Sequence, residues 1–206
     1  MPKPSGKPLP DVLAEATGEA VDLLGLTFSR EDAPEASAGA IELIGCSFDH
    51  CHLTDCRFSG TGFQNVVFSH CDLSGCRFFE SGMHQVVFRD CRLMGAVLTD
   101  CLLRDVSLTD CSGRYLQFSG CTLRQCRFTG GVYTGGALLG VRLQKSVFDG
   151  CDLTRCDFRG TNLAGLDLSG CVIEGCTWSP DLLRGLTVSM DQAVELSRLL
   201  GLNIVI

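Results

Sequence analysis

From Leu43 to Trp178, every fifth residue is large and apolar, and only Gly113 breaks the series. The run holds 28 units without an insertion or a deletion. A period of five fits neither a helix, with 3.6 residues per turn, nor a flat strand, with a period of two. It fits a chain that turns a corner after each unit. Two inward positions per five residues, with turn residues between them, describe one side of a square coil. Four sides use twenty residues, so the run makes seven coils. Stacked at the strand spacing of about 4.8 Å, they form a rod roughly 34 Å long.

The second inward position lies two residues before each centre. All fourteen cysteines fall there, from Cys46 to Cys176. The other occupants include Val66, Ser81, Val86, Ala96, Val106 and Thr161. Cys suits such a place as a small, buried, hydrophobe-like side chain. Two features support twenty residues per coil. NVVF at 65–68 recurs as QVVF at 85–88. The gap at Gly113 lies one coil before Tyr133, the only Tyr among the centres. A large side chain beside a missing one restores packing.

Composition narrows the function classes. Apolar residues make up 45% of the 206, enough for a sizeable core. The first residues, MPKPSGKPLP, lack the apolar stretch of a secretory signal. No apolar run is long enough to span a bilayer. A cytoplasmic location is therefore expected, where thiols stay reduced. A net charge of −7 argues against direct nucleic-acid binding.

The ends of a solenoid need caps. After Trp178, Ser189 reads as a helix N-cap. Ala193, Leu196, Leu199 and Leu200 form an apolar helical face, Gly201 stops it, and LNIVI reads as a short strand. At the other end, Leu23 and Phe28 keep the pentad register, and Ala33 and Ala38 keep it weakly. The expected organisation is an N-terminal extension over 1–22, disordered over 1–10, then a partial coil and acidic loop over 23–40. The β-helix follows over 41–178 and the C-terminal cap over 179–206.

Catalytic and metal chemistry find little support in the sequence. His50, Cys51, His52 and Cys56 lie close in the chain, but the cysteines lack the common zinc spacing and point inward. His70 is expected to stack above His50 as a weak metal or pH-sensitive pair at best. No nucleophile elbow, P-loop or dinucleotide fingerprint occurs. No metal, cofactor or enzymatic activity is expected. Disulfides between stacked cysteines are permitted by distance but not expected in a reducing compartment.

Charge is uneven around the square. The side built on Phe48, Phe68 and Phe88 carries five aspartates against two arginines. The adjoining side, built on Leu43 and Phe63, carries Arg104, Arg124, Arg142 and Lys145 against Glu42 and Asp105. Such a distribution serves solubility. It is also what a rod imitating a phosphate backbone would carry.

CDLSG at 71–75, CDLTR at 151–155, CDFRG at 156–160 and TNLAG at 161–165 resemble the consensus of the pentapeptide-repeat family. The resemblance covers about three quarters of the chain and implies an all-β, right-handed quadrilateral β-helix. The tail DQAVELSRLLGLNIV at 191–205 is similar to that of the Qnr and MfpA type within the family. That type implies a homodimer through the C-terminal segment, here Leu196, Leu199 and Leu200. It also implies binding to DNA gyrase or topoisomerase IV, as a DNA mimic conferring resistance or self-immunity to topoisomerase poisons. The array lacks the projecting loops usual in Qnr proteins, which brings it closer to the MfpA and self-immunity members. The acidic contacts would be Asp49, Asp90, Asp110 and Asp149. A non-catalytic scaffolding module with another protein partner is the alternative reading.

Overall fold

The structure, a computed structural model, describes residues 3–201, excluding the side chain of Leu200. The repeat folds as a right-handed solenoid of parallel strands. Partners lie twenty residues apart: Phe48 pairs with Phe68, Phe58 with Phe78, and Leu43 with Phe63. Three faces are parallel sheets of eight, six and seven short strands. The fourth face, carrying Leu53 and Leu73, is joined by single bridges such as His52–Asp72 and Asp72–Arg92. On that face the centre's carbonyl accepts from the amide three residues on, as in Cys76 N to Leu73 O at 3.2 Å. The tight turn takes up backbone groups that the other faces give to the ladder. Beyond residue 150 the described coils are joined by such bridges, including Asp157–Thr177 and Asp167–Thr187.

The centres fill the interior and stack in columns. Phe28, Phe48, Phe68 and Phe88 form one continuous aromatic ladder, with centroids 5.1, 4.7 and 5.1 Å apart. Phe158 and Trp178 stack at 4.9 Å near the C-terminal end. From Leu43 to Leu163, the corner residue two after each centre has a left-handed backbone. Gly75 reaches it at φ 70°, and Asp90 adopts it at φ 52°. Gly reaches this region without strain, and Asp tolerates it because its short polar chain bonds locally.

The cysteines do more than fill space. The thiol of Cys56 donates to Ala33 O at 3.1 Å, that of Cys76 to Leu53 O at 2.8 Å, and that of Cys156 to Tyr133 O at 3.1 Å. In each case the acceptor is the carbonyl of a centre residue in the preceding coil. Thr61, Ser81, Ser146 and Thr161 place hydroxyls on equivalent carbonyls. The position therefore requires a small side chain with a donor, or else an apolar one.

The N-terminal region differs from the expectation. Residues 3–10 are structured: Lys3–Pro4 pairs with Leu26–Thr27, and a helix, α1, spans Leu9–Glu19. Residues 30–39 form no projecting loop. Asp32 bridges to His52, and Ser37–Gly39 pairs with Arg57–Ser59, so the winding extends through residues 21–40 as one more coil. Its centres Ala33 and Ala38 are small and buried. Helix α1 packs on this coil and buries Leu9, Val12, Leu13 and Ala16, closing the core where large centres are missing.

At the C-terminus a helix, α2, spans Met190–Ser197. It opens with a reciprocal capping box between Ser189 and Gln192. Gln192 Nε2 also donates to Leu168 O at 2.9 Å and Cys171 O at 2.7 Å. Glu195 accepts from Gly175 N at 2.9 Å. Leu196 packs against the core while Ala193 and Leu199 are exposed, so the expected apolar face is split between lid and surface. The short strand expected in LNIVI falls on 202–206, outside the described residues. No helix among the described residues is long and apolar enough to cross a membrane.

Candidate functional site

A rod with a filled interior acts through its faces and corners. The parallel register fixes which surface side chains stand together. On the Phe48 face one column runs Asp49, Ser69, Arg89, Thr109, Thr129 and Asp149. The adjoining corner column runs His50, His70, Asp90, Asp110 and Gly130. Asp90 and Asp110 are therefore neighbours at about one coil spacing. Asp49 joins them through His70. Asp149 lies two coils beyond Asp110, or roughly 10 Å, with Thr129 between. Of the four aspartates singled out in the sequence, only Asp90 and Asp110 are adjacent; Asp49 and Asp149 flank them at two coils on either side, and Asp49 is linked to Asp90 through His70.

The histidines shape the electrostatics of this corner. Both sit at left-handed corners, His50 at φ 54° and His70 at φ 55°. Their rings stack at 4.5 Å with an angle of 20°. His50 Nδ1 lies 3.0 Å from Asp49 Oδ2, and His70 Nδ1 lies 3.3 Å from Asp49 Oδ1. Hydrogen bonds from His50 and then His70 hold the Asp49 carboxyl below its ordinary range. His70 Nε2 lies 3.8 Å from Asp90 Oδ2. A groove of about 300 Å³, lined by His52, His70, Asp72, Asp90 and Arg92, opens beside the ring. The sequence put His70 above His50. It did not put Asp49 between them, because that depends on side-chain direction at a corner.

The basic stripe is also present. Arg104 pairs in register with Arg124, and Thr122 with Arg142. Arg104 is partly neutralised by Asp105 at 3.3 Å. The cysteines take no part in this surface: all fourteen are free, and all but Cys176 are fully buried. Burial pushes the thiols of Cys111 and Cys126 up to about 11, which keeps them protonated and unreactive at neutral pH.

Beyond the rod, α2 exposes Met190 and Val194, and the short 3-10 turn Arg198–Leu200 that follows it exposes Leu199. Of the residues expected at a dimer contact, Leu199 is exposed and Leu196 is turned to the core. The side chain of Leu200 lies outside the described residues.

This winding, with its pentad interior and left-handed corners, defines a quadrilateral repeat solenoid. Residues 61–138 match the pentapeptide repeat region, and residues 41–78 and 138–175 match pentapeptide repeats in eight copies. The chain belongs to the pentapeptide-repeat family. No curated protein matches it. Among solved structures it is similar to HetL, a pentapeptide-repeat protein involved in heterocyst differentiation regulation in the cyanobacterium Nostoc sp. strain PCC 7120. Identity is 18%, coverage 88% of this chain and 94% of that one, and the TM-score 0.59. It is also similar to a trypsin-treated variant of QnrB1, a plasmid-mediated fluoroquinolone resistance protein. Identity is 24%, coverage 89% of this chain and 90% of that one, and the TM-score 0.50. At these identities the likeness is one of fold.

Proposed function

We propose that this protein is a non-catalytic binding rod whose acidic corner occupies a basic DNA-binding surface, that of DNA gyrase or topoisomerase IV. The observation that carries the reading is the adjacency of Asp90 and Asp110 on one straight corner, with Asp49 tied to Asp90 through His70. Carboxylates on a rigid ladder at about 4.8 Å approach the phosphate spacing of about 3.4 Å per strand. A preformed ladder loses little conformational entropy on docking. The similarity of the tail to the Qnr and MfpA type, and the shared rod of QnrB1, support a topoisomerase as the target. Occupation of the DNA site would displace the drug-stabilised cleavage complex and confer resistance or self-immunity. The protein would act in the cytoplasm, as a homodimer joined through α2 and the turn that follows it, with Leu199, Met190 and Val194 as the apolar contact. Light scattering on a Val194→Asp variant checks the dimer, which should dissociate.

The test is a gyrase supercoiling and cleavage assay with the purified protein titrated in, with and without a poison. Loss of the poison's cleaved product supports protection. Inhibited supercoiling alone supports mimicry without protection. No effect in either arm, with gyrase from the same source, favours a scaffolding module. The basic stripe of Arg104, Arg124 and Arg142, on the face before the one that ends in the acidic corner, is the observation that favours that second reading, since it gives the rod a surface for an acidic protein partner.

A further inference from the structure

We infer that Asp49, His50 and His70 form a surface site for a divalent transition metal such as Zn²⁺. One donor atom from each residue lies within 4.8 Å of the others. Both imidazoles turn Nδ1 toward the one carboxylate, at 3.0 and 3.3 Å. A tetrahedral ion holding N and O ligands at about 2.0–2.2 Å sets its ligand atoms roughly 3.3–3.5 Å apart. Small rotations of exposed side chains would bring the three donors to that spacing. Two imidazoles and a carboxylate are a donor set suited to Zn²⁺ and Ni²⁺, and the open side leaves the fourth position to water.

Two further observations favour a ligand over a simple hydrogen-bonded cluster. The first is Asp90, whose Oδ2 lies 3.8 Å from the outward nitrogen of His70, too far for a hydrogen bond as it stands and brought within reach by a small rotation of either exposed side chain. A carboxylate on the far nitrogen is the usual outer partner of a metal-bound histidine, where it fixes the ring and raises its basicity. The second is the backbone. All three ligands stand on adjacent coils held by the parallel ladder, with Asp49 and Ser69 in register. The rings stack because their corners stack. A site on such a frame needs little reorganisation to bind.

The test uses the full-length, tag-free chain, titrated with ZnCl₂ by calorimetry and by NMR of the histidine rings. One ion per chain is expected, with ring shifts at His50 and His70 and none at His84, which lies on the Leu43 face. The replacements His50→Asn and His70→Asn suit the test because Asn tolerates a left-handed corner, so an unchanged Tm confirms the fold. Each should weaken Zn²⁺ binding more than about tenfold, and Asp90→Asn about tenfold through loss of the outer partner. His84→Gln should change nothing. Absence of saturable binding overturns the proposal. So does binding that survives in the double His50→Asn, His70→Asn variant, which would place the ion on the thiols.

Discussion

The thiol of Cys76 donates a hydrogen bond of 2.8 Å to the carbonyl of Leu53, the centre residue of the coil before it. This contact gives the cysteine position a chemical meaning that size alone does not. In Cys76→Ala the Leu53 carbonyl loses that donor in a buried place, at a cost of about 1–3 kcal/mol. Cys76→Ser should cost less, because Ser81 already bonds Phe58 O from an equivalent position at 3.2 Å. Chemical denaturation of the two variants checks the order. Equal losses would reduce the thiol to a space filler.

Gly113 and Tyr133 are a matched pair. A Cβ added at Gly113 would stand 2.7 Å from the Tyr133 ring, so Gly113→Ala should destabilise by about 1–3 kcal/mol through overpacking. The Tyr133 hydroxyl is buried without a hydrogen-bond partner. Tyr133→Phe removes that burden and should stabilise by about 1 kcal/mol. Thermal melts of both variants decide the point; a destabilised Phe variant would mean that the hydroxyl has a partner.

Acid should weaken the C-terminal coils. Arg159 holds the Asp157 carboxyl below its ordinary range, with Nη2 2.6 Å from Oδ2, and hydrogen bonds from Thr154 lower Asp152 in the same way. A carboxyl with a depressed folded pKa stabilises above its unfolded value, about 3.9, and loses that contribution as pH falls through the folded value. Tm should therefore drop below about pH 4. Arg159→Gln removes the largest cause at Asp157, so its Tm deficit should shrink as acid is added. A deficit independent of pH would contradict this assignment.

Charge reversal separates mimicry from scaffolding. Asp90→Lys combined with Asp110→Lys should abolish any effect on gyrase while changing stability by less than about 0.5 kcal/mol. The corner accepts Lys, as Lys145 shows at φ 54°. Asp149→Lys should leave the gyrase effect largely intact, because Asp149 lies two coils beyond the adjacent Asp90–Asp110 pair, across Thr129. Equal sensitivity at all three positions would point to net charge rather than to the corner.

Most of the fold was legible because a five-residue period is hard to reconcile with any other winding. Phe48 over Phe68 and Cys51 beneath Cys71 follow from arithmetic. Helix α1 is only half legible in the sequence. Leu9, Val12, Leu13 and Ala16 have helical spacing, but the Pro- and Lys-rich start masked it. Ala33 and Ala38 read as a failing repeat because their large neighbours, Leu9 and Leu13, come from outside the pentads.

The sequence by itself determined the coil, its register, its interior columns and the helix N-cap at Ser189. These depend on local spacing and on the burial of apolar residues, both of which are periodic along the chain. Only the tertiary structure decided that Asp49 bridges two stacked histidines and that Leu196 faces the core. Those facts depend on where a side chain points after a corner has turned, and on which residues a folded end brings over the core.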